Sequence, residues 1–280
     1  MHNFIAKSLN LPWTFYATEC ATIEDLIALA RNDATVGLVV TMPYKNAVLS
    51  MLDAVDDLAV TIGACNNIYR DPSDPTRLRG TNTDWLGIRG CLLETKEYPE
   101  SVLNQPALIV GAGGASRAAV YALSTTFKSS VIYILNRDDG EVHDLIRDAQ
   151  RIQPPPKIVH VKEGDDVSQL DPPLYVVGTV PDFEANTPAE IAVQALLEGF
   201  LSVSRKGVLL DMCFKPRLTR MIKLANKLGW HTVEGTHVIG HQVRMQYKLW
   251  AGEERSKKMD QEGAWNLLLQ MAESSPGINY

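Results

Sequence analysis

The sequence predicts an α/β protein of two domains, the second of them a doubly wound, Rossmann-like domain built on a mostly parallel sheet. Three observations support this prediction. Short apolar stretches typical of buried strands alternate with helical patterns along the chain, as in βαβ units. One of these strands runs directly into a glycine-rich turn and then into a helix. The length of 280 residues corresponds to about two domains of average size.

The first part of the chain reads as alternating helices and strands. Helices are predicted where apolar residues recur at helical spacing, and strands where short apolar runs end in turn residues. The predicted helices cover residues 2–10, 22–32, 45–55 and 85 to about 95, and the predicted strands cover residues 13–19, 36–42 and 64–70. The stretch DPSDPTR (71–77) is rich in turn residues and predicts an exposed hairpin loop.

The second part of the chain follows a boundary segment, KEYPESVLNQP (96–106). Strands are predicted at 107–110, 131–137, 158–162, 174–180 and 207–214, with helices in the gaps, notably at 140–152 and 219–228. QPPP (153–156) is a loop because prolines end the preceding helix. After HTVEGT (231–236) the pattern is helical almost to the end.

Composition and charge argue against several classes of protein. The formal net charge of −6 disfavours a nucleic-acid-binding protein. No apolar run approaches the roughly 20 residues that span a bilayer, and the N-terminus lacks a secretory apolar region, so no membrane association and a cytoplasmic location are expected. Without a C-x-x-C motif, free thiols and no metal site are expected. The cysteines are Cys20, Cys65, Cys91 and Cys213.

The stretch ALIVGAGGASRAA predicts a dinucleotide-binding turn. Glycines there permit a tight turn and let backbone N–H groups approach a pyrophosphate, and the following helix adds partial positive charge. The spacing is G-x-G-G-x-S rather than G-x-G-x-x-G, and the structural alternative is a tight turn alone. The candidate cofactor-binding residues are Gly111, Ala112, Gly113, Gly114, Ala115 and Ser116.

The next strand ends in Asn136, Arg137 and Asp138, at the distance from the glycines where a ribose-reading residue belongs. Arg137 could pair with the 2′-phosphate of NADP. Asp138, Asp139 and Glu141 would repel that phosphate and favour NAD. For the last two residues, a solvated turn with acids at a helix start is the structural alternative. The sequence therefore leaves NADP and NAD both open.

Three polar stretches of the first domain admit a structural and a functional interpretation. In GTNTDWLGI (80–88), Asp84 is either a helix cap or a carboxylate at a reaction site. In VVTMPYKNAV, Lys45 is either a surface lysine or an amine at a helix start that exchanges protons near neutral pH. In IGACNNIYR, Asn66 and Asn67 lie within an apolar strand, where a buried amide needs a turn or a hydroxylated ligand as partner.

Taken in chain order, V-T-x-P-x-K, I-G-A-x-N, G-x-N-T-D-x-x-G, G-A-G-G-A-S-R-A and N-R resemble the shikimate/quinate dehydrogenase family. DMCFKPRLT and EGTHVIGHQVRMQYKLWAG are similar to its C-terminal segments D-x-x-Y-x-P-x-x-T and G-x-x-M-L-x-x-Q-x-x-x-x-F-x-x-W-x-G. The resemblance covers almost the whole chain. It implies a substrate-binding domain over 1–86, completed by C-terminal helices over 237–280, and a Rossmann-like NAD(P)-binding domain over 87–236.

The resemblance also implies an activity and its residues. The expected reaction interconverts shikimate or quinate and its 3-dehydro form by hydride transfer with NAD(P), and the expected partner is a small cyclic hydroxy acid. Lys45 and Asp84 match the catalytic pair of the family, in which the amine exchanges the alcohol proton and the acid orients it. The chain is expected to be a monomer or a homodimer. The matching substrate-binding residues are Thr41, Asn66, Thr83 and Gln242.

The chain also departs from the family pattern. The family opens with G-x-P-x-x-x-S-x-S-P-x-x-H-N, whose serines bind the substrate carboxylate, whereas this sequence begins at the H-N, at Met1-His2-Asn3. Either the recorded start lies too late or the protein lacks the segment. Phe214 and Gly178 replace a tyrosine and an asparagine of the family, and His237 and His241 read as ordinary helix-face residues.

Two alternatives to an active shikimate or quinate dehydrogenase stay open at this point. One is a catalytically weak sensor or regulatory protein that keeps the fold and binds a pathway metabolite. The other is a relative similar to amino-acid or folate dehydrogenases, which share the cofactor domain without the N-T-D segment.

Overall fold

The computed structural model describes residues 1–94 and 103–280, with α/β architecture throughout. The strands are β1 (Gly37–Val39), β2 (Ala54–Val55), β3 (Asn67–Arg70), β4 (Leu78–Thr81), β5 (Ala107–Val110), β6 (Ile132–Leu135), β7 (Ile158–His160), β8 (Tyr175–Gly178), β9 (Val208–Asp211) and β10 (His231–Val233). The helices are α1 (His2–Ser8), α2 (Ile23–Arg31), α3 (Asp57–Ile62), α4 (Asp84–Leu93), α5 (Gly114–Thr125), α6 (Asp139–Ala149), α7 (Pro188–Leu201), α8 (Arg220–Lys227), α9 (Gly235–Ala251), α10 (Glu253–Ser256) and α11 (Gln261–Ser274).

The N-terminal sheet has the order β1-β3-β4-β2. β3 pairs antiparallel with both β1 and β4, and β2 pairs parallel with β4. Residues 71–77 connect β3 to β4, which confirms the predicted hairpin loop. One face of the sheet packs against α2 through an apolar cluster that includes Leu26, Val40 and Ile68.

The second sheet is parallel, with the order β10-β9-β8-β5-β6-β7. Counted within this domain from β5 onward and read from the other edge, that order is 3-2-1-4-5-6, the doubly wound arrangement of Rossmann domains. Apolar clusters cover both faces of the sheet, one shared with α4, α5 and α6 and the other with α7 and α8. The predicted fold class is confirmed.

Two predicted elements are wrong. Residues 13–19 form no strand, because the Phe15 backbone exchanges hydrogen bonds with the Asn3 side chain of α1 rather than with a neighbouring strand. Residues 45–55 form no α-helix: a short 3-10 helix covers Ala47–Met51, and the Lys45 carbonyl accepts from the Cys65 N–H. Pairing with β4 then draws Ala54–Val55 into the sheet, so tertiary contacts override local helical spacing.

Helices α3 and α7 were missed as separate predictions, although both begin with ordinary capping residues. The Asp56 side chain accepts from Ala59 N, and α3 ends at Gly63, whose φ is +76°. Thr187 and Glu190 form a capping box at the start of α7, with Pro188 at the first helical position. This capping box fixes the Glu190 carboxylate.

The C-terminal helices pack against the N-terminal part of the chain. α9 and α11 share an apolar cluster with α1 that includes Ile5, Val243 and Tyr247. α4 contacts both α9 and α5, so the proposed boundary at residues 86 and 87 falls inside a helix that bridges the two domains. Residues 95–102, which hold most of the predicted boundary segment and the predicted end of α4, lie outside the described residues. The division at this helix stays a proposal.

In the part of the chain that the structure describes, no helix is both long enough and apolar enough to traverse a bilayer. The four cysteines are free thiols.

Candidate active site

Lys45 and Asp84 come together between the two domains. Lys45 follows β1 in a turn that contains Pro43, and Asp84 is the first residue of α4. The Lys45 Nζ atom lies 2.5 Å from Asp84 Oδ2. The two side chains are 16% and 5% exposed, so the pair is largely shielded from water but open on the Lys45 side. The two residues that the sequence predicts as a catalytic pair are therefore in contact.

The Asp84 carboxylate does not cap its own helix. Thr83 occupies the N-cap position without a side-chain cap bond, whereas Asn82 Oδ1 accepts from the Asp84 N–H at 3.0 Å. The Asn82 amide in turn donates to the Ala64 carbonyl at 2.9 Å. Asn82 thus closes the turn, so the Asp84 carboxylate oxygens can accept hydrogen bonds from other side chains. Sequence reasoning missed this role of Asn82. The N-T-D stretch held that signal, since Asn favours such turns.

A buried network of amides and a hydroxyl surrounds Asp84. Asn66 Nδ2 lies 2.8 Å from Asp84 Oδ1 and 2.9 Å from Gln242 Oε1, and Asn66 Oδ1 accepts from the Thr83 N–H at 2.6 Å. The Thr83 hydroxyl donates to Gln242 Oε1 at 2.6 Å. Three of the predicted substrate-binding residues are therefore joined in one cluster. The fourth, Thr41, is exposed after β1 and its carbonyl accepts from Tyr44 N, while the N–H of the preceding Val40 donates to the Asn66 carbonyl at 2.8 Å.

Gln246 extends this network by one helical turn and was not predicted. Its Nε2 atom lies 3.2 Å from Gln242 Oε1 and 3.4 Å from Thr83 Oγ1. Both Gln246 and Asn67 are buried, and they carry polar atoms without hydrogen-bond partners: Gln246 Oε1 and both amide atoms of Asn67. The sequence did contain a signal for Gln246: it follows Gln242 by four residues, and this spacing places the two side chains on the same face of a helix.

The glycine turn lies directly beside the Lys45 segment. Gly111 has a φ of +115°, which favours glycine, and a Cβ there would lie 2.4 Å from Thr179 Oγ1. A Cβ at Gly113 would meet nothing within 4 Å, so this backbone is open to a ligand. A Cβ at Gly114 would lie 3.0 Å from Lys45 Cβ, which places the predicted dinucleotide turn next to the predicted reactive amine.

The remaining residues of the glycine turn differ in their burial and in their contacts with the rest of the protein. Ser116 is buried, and its hydroxyl lies 2.7 Å from Thr179 Oγ1, so that hydroxyl braces the turn. Ala112 is buried, whereas Ala115 is partly exposed at the start of α5. Arg117, which was not predicted, donates to the Ala112 carbonyl at 2.8 Å and pairs with Asp148 at 2.9 Å. This buried arginine fixes the turn against α6.

At the end of β6, the three predicted residues have different partners. Asn136 Nδ2 donates to the Asp138 carbonyl and to Glu141 Oε2, each at 3.0 Å. Asp138 caps α6 by accepting from the Glu141 N–H at 3.0 Å. Arg137 forms an ion pair with Glu190. Asp138 and Glu141 therefore stabilise the local structure of this turn.

Of the two substitutions in the family pattern, Gly178 and Phe214, only Gly178 has a physical explanation in the structure. Gly178 ends β8, and a Cβ there would lie 2.8 Å from Asp211 Oδ1, so a larger residue does not fit. Asp211 accepts from the Thr219 hydroxyl at 2.6 Å and from Cys213 N at 3.1 Å. Burial raises the pKa of Asp211 to about 6. Nothing in the structure explains the phenylalanine at Phe214.

His237 and His241 are more than helix-face residues. His237 Nδ1 lies 2.8 Å from Glu94 Oε2, and His241 Nε2 bonds Glu94 Oε1, so both histidines tie α9 to the end of α4. Trp265 of α11 packs against both rings. Among the described residues, no group of three or more histidine, cysteine or acidic side chains is arranged to hold a metal ion.

Comparison with known proteins gives sequence relatives along most of the chain. The family model of the shikimate dehydrogenase substrate binding domain matches residues 1–68. A quinate dehydrogenase from Emericella nidulans is 33% identical over 274 residues, covering 91% of this chain and 83% of that protein. The pentafunctional AROM polypeptide of Eremothecium gossypii is 36% identical over 261 residues, which are 90% of this chain and 16% of that polypeptide.

Solved structures share the fold. The dehydroquinate dehydratase and shikimate dehydrogenase from S. pombe AroM matches with a TM-score of 0.71 at 28% identity, over 96% of this chain and 49% of that one. The Listeria monocytogenes shikimate 5-dehydrogenase in complex with shikimate and NAD matches with a TM-score of 0.72 at 21% identity, over 95% and 90% of the two chains. The Thermus thermophilus enzyme in complex with NADP(H) and shikimate matches with a TM-score of 0.69 at 24% identity, over 96% and 92%.

Proposed function

Because the chain belongs to the shikimate/quinate dehydrogenase family, we propose that it reversibly oxidises a ring secondary alcohol of shikimate or quinate to the 3-dehydro form. The observation that carries the proposal is the contact between Lys45 and Asp84, made beside the glycine turn. A chain that kept only the fold as a binding module has no need of a shielded amine–carboxylate pair at this place. The contact therefore favours the enzyme over the sensor.

The substrate is held by the amide cluster around Asp84. Oε1 of Gln242 accepts from Thr83 and lies within bonding distance of Asn66 and Gln246, which fixes the plane of its amide. The Nε2 atom of that amide then remains to donate to a ring hydroxyl. A preoriented donor of this kind aligns the ring and so brings the reacting carbon to one position.

The proton of the alcohol goes to Lys45 Nζ. A neutral amine accepts it as the alcohol becomes a ketone, and the reverse reaction returns it from the ammonium. Asp84 Oδ2, 2.5 Å away, stabilises the ammonium, and the Asn66 amide holds the other carboxylate oxygen. A nicotinamide dinucleotide, when bound, supplies the hydride acceptor.

The glycine turn fits a dinucleotide. The open backbone at Gly113 and the N-terminus of α5 offer N–H groups and partial positive charge to a pyrophosphate. Asn136, Arg137 and Asp138 at the end of β6 lie where the adenosine ribose is expected. Acids outnumber cations around this strand end, which disfavours a 2′-phosphate; we therefore propose NAD as the preferred dinucleotide.

The proposal is tested by following reduced-dinucleotide absorbance with shikimate and with quinate, each against NAD and NADP. We expect turnover with at least one hydroxy acid and a preference for NAD. Lys45→Ala should lower kcat by about 100-fold or more, because it removes the proton acceptor, while the Kd for NAD changes little.

Lys223→Ala, at an exposed position on α8, is the matched control and should leave kcat unchanged. A folded protein that turns over neither acid with either dinucleotide would favour the sensor, and an unchanged kcat in Lys45→Ala would remove Lys45 from the mechanism.

A further inference from the structure

The start of α7 holds the Glu190 carboxylate in a fixed position. Its Oε2 atom accepts from the backbone N–H groups of Asn186 at 3.1 Å and Thr187 at 3.0 Å. The Thr187 hydroxyl completes the capping box by accepting from Glu190 N at 3.3 Å. Only 12% of the Glu190 side chain is exposed. These backbone hydrogen bonds lower the pKa of Glu190 to about 2, so the group is an anion near neutral pH.

The other oxygen of this carboxylate holds Arg137. Glu190 Oε1 accepts a hydrogen bond from Arg137 Nη1, and the guanidinium lies over the Phe183 ring, 5.7 Å from its centroid. The Arg137 side chain is 58% exposed. In an ordinary ion pair at such a position, the two side chains separate easily and are solvated by water. This pair differs because one member is immobile. If Arg137 turns toward a ligand, the charge of Glu190 stays in place.

We propose that Glu190 is a specificity-determining residue that disfavours the 2′-phosphate of NADP and thereby selects the free 2′-hydroxyl of NAD. The inference rests on the proposed function, since it takes the end of β6 as the adenosine site. Arg137 is the side chain there that is suited to bind a phosphate. A phosphate that reaches this guanidinium also approaches the fixed Glu190 carboxylate, and like charges at contact distance repel.

The test uses two fragments that bind without any reaction: adenosine 5′-monophosphate and adenosine 2′,5′-bisphosphate. Their Kd values are measured by calorimetry for the wild-type protein and for Glu190→Gln. Glutamine keeps the capping box, because its carbonyl oxygen accepts the same backbone hydrogen bonds. It removes the charge and replaces the oxygen that accepts from Arg137 with an NH2 group. We expect the relative affinity for the bisphosphate to rise about tenfold, with little change for the monophosphate.

Glu198→Gln is the matched control, since it removes an exposed charge from the same helix eight residues further on. It should leave the ratio of the two Kd values unchanged. An unchanged ratio in Glu190→Gln, or a wild-type protein that prefers the bisphosphate, would overturn the proposal. Because the fragments report binding alone, an inactive enzyme would contradict the proposed function without deciding this inference.

Arg137→Met provides a second, independent comparison. Glu190 already engages Arg137, so in the otherwise wild-type protein this substitution should change bisphosphate affinity by less than about twofold. In the Glu190→Gln background the same substitution should abolish most of the tenfold gain. A large loss of bisphosphate affinity from Arg137→Met alone would show that Glu190 does not restrain Arg137, and the proposal would fail.

Discussion

At the residue scale, the site is organised around one oxygen atom, Oε1 of Gln242. It lies within bonding distance of donors on Asn66, Thr83 and Gln246, which belong to three different segments of the chain. Gln246 is buried and its amide nitrogen contacts Gln242 and Thr83, so we propose that it acts on the substrate through these two residues. We regard it as a positioning residue.

We expect Gln246→Leu to raise KM for the hydroxy acid by about tenfold, because the loss of one hydrogen bond to the Gln242 amide loosens its orientation. The effect on kcat should be smaller, and the Kd for NAD should stay the same. Steady-state kinetics with varied hydroxy acid measure the split between the two parameters. Lys248→Ala, an exposed position on the same helix, serves as control. A fall in kcat at constant KM would contradict the positioning role.

The sequence predicted which residues belong to this site better than it predicted which side chains they would bond. Lys45, Asp84 and Asn66 stood out because a polar side chain beside or within an apolar stretch must find a hydrogen-bond partner if it is buried. Asn82 and Glu190 did not stand out, because their importance depends on which segments fold beside them. The assignment of Ser116 to the cofactor stays a prediction, since the motif gave its position but not that its hydroxyl lies 2.7 Å from Thr179 Oγ1.

At the scale of elements, Glu94 joins the end of α4 to α9 through His237 and His241. α4 begins with Asp84 and α9 carries Gln242, so the same two helices present both parts of the site. Burial alone would raise the pKa of Glu94, but the hydrogen bonds from the two histidines outweigh it and lower the pKa to about 2. A carboxylate whose pKa falls on folding stabilises the folded state above its ordinary pKa.

The Glu94 contribution should therefore be complete above about pH 4.5 and be lost as the pH falls toward 2. We expect Glu94→Gln to reduce the free energy of unfolding by about 1–3 kcal/mol at pH 7, and the wild-type and variant curves to converge near pH 2. Urea unfolding across this range measures both. Glu262→Gln, at an exposed position on α11, is the control. Curves that stay parallel down to pH 2 would contradict the assignment.

Elements with strong local signals were predicted, and elements made by long-range pairing were not. The Rossmann strands are short buried runs that read correctly from sequence. A helix was expected in the gap between β8 and β9, but α7 was not predicted by its bounds, although it begins with the T-P-A-E pattern of a capping box. Residues 45–55 have helical spacing, but Ala54–Val55 pairs with β4, which the local pattern cannot reveal. Residues 13–19 have strand composition, yet their backbone bonds to Asn3.

At the scale of the whole molecule, the two domains meet where the glycine turn touches the Lys45 segment. A Cβ on Gly114 would lie 2.7 Å from Asn46 Oδ1 and 3.0 Å from Lys45 Cβ, whereas one on Gly113 would meet nothing within 4 Å. Gly114 thus lies at the domain contact, and Gly113 lies at the proposed dinucleotide contact.

We expect Gly114→Ala to lower kcat by about tenfold, since it displaces the amine relative to the turn, with a smaller effect on the Kd for NAD. Gly113→Ala should instead weaken NAD binding, because the new methyl group projects into the space open to the ligand. Thermal unfolding and NAD titration of both variants separate the outcomes. Equal effects of the two substitutions on kcat and Kd would contradict this division of roles.

The most direct measurement of the central claim is a double-mutant cycle on Lys45 and Asp84. If the amine and the carboxylate move one proton together, Lys45→Met and Asp84→Asn should each lower kcat by about 100-fold or more, and the double variant should be little worse than the poorer single variant. The Kd for NAD should be the same in all four proteins. Losses that multiply in the double variant, or single variants that retain wild-type kcat, would show that the observed contact is not the catalytic unit.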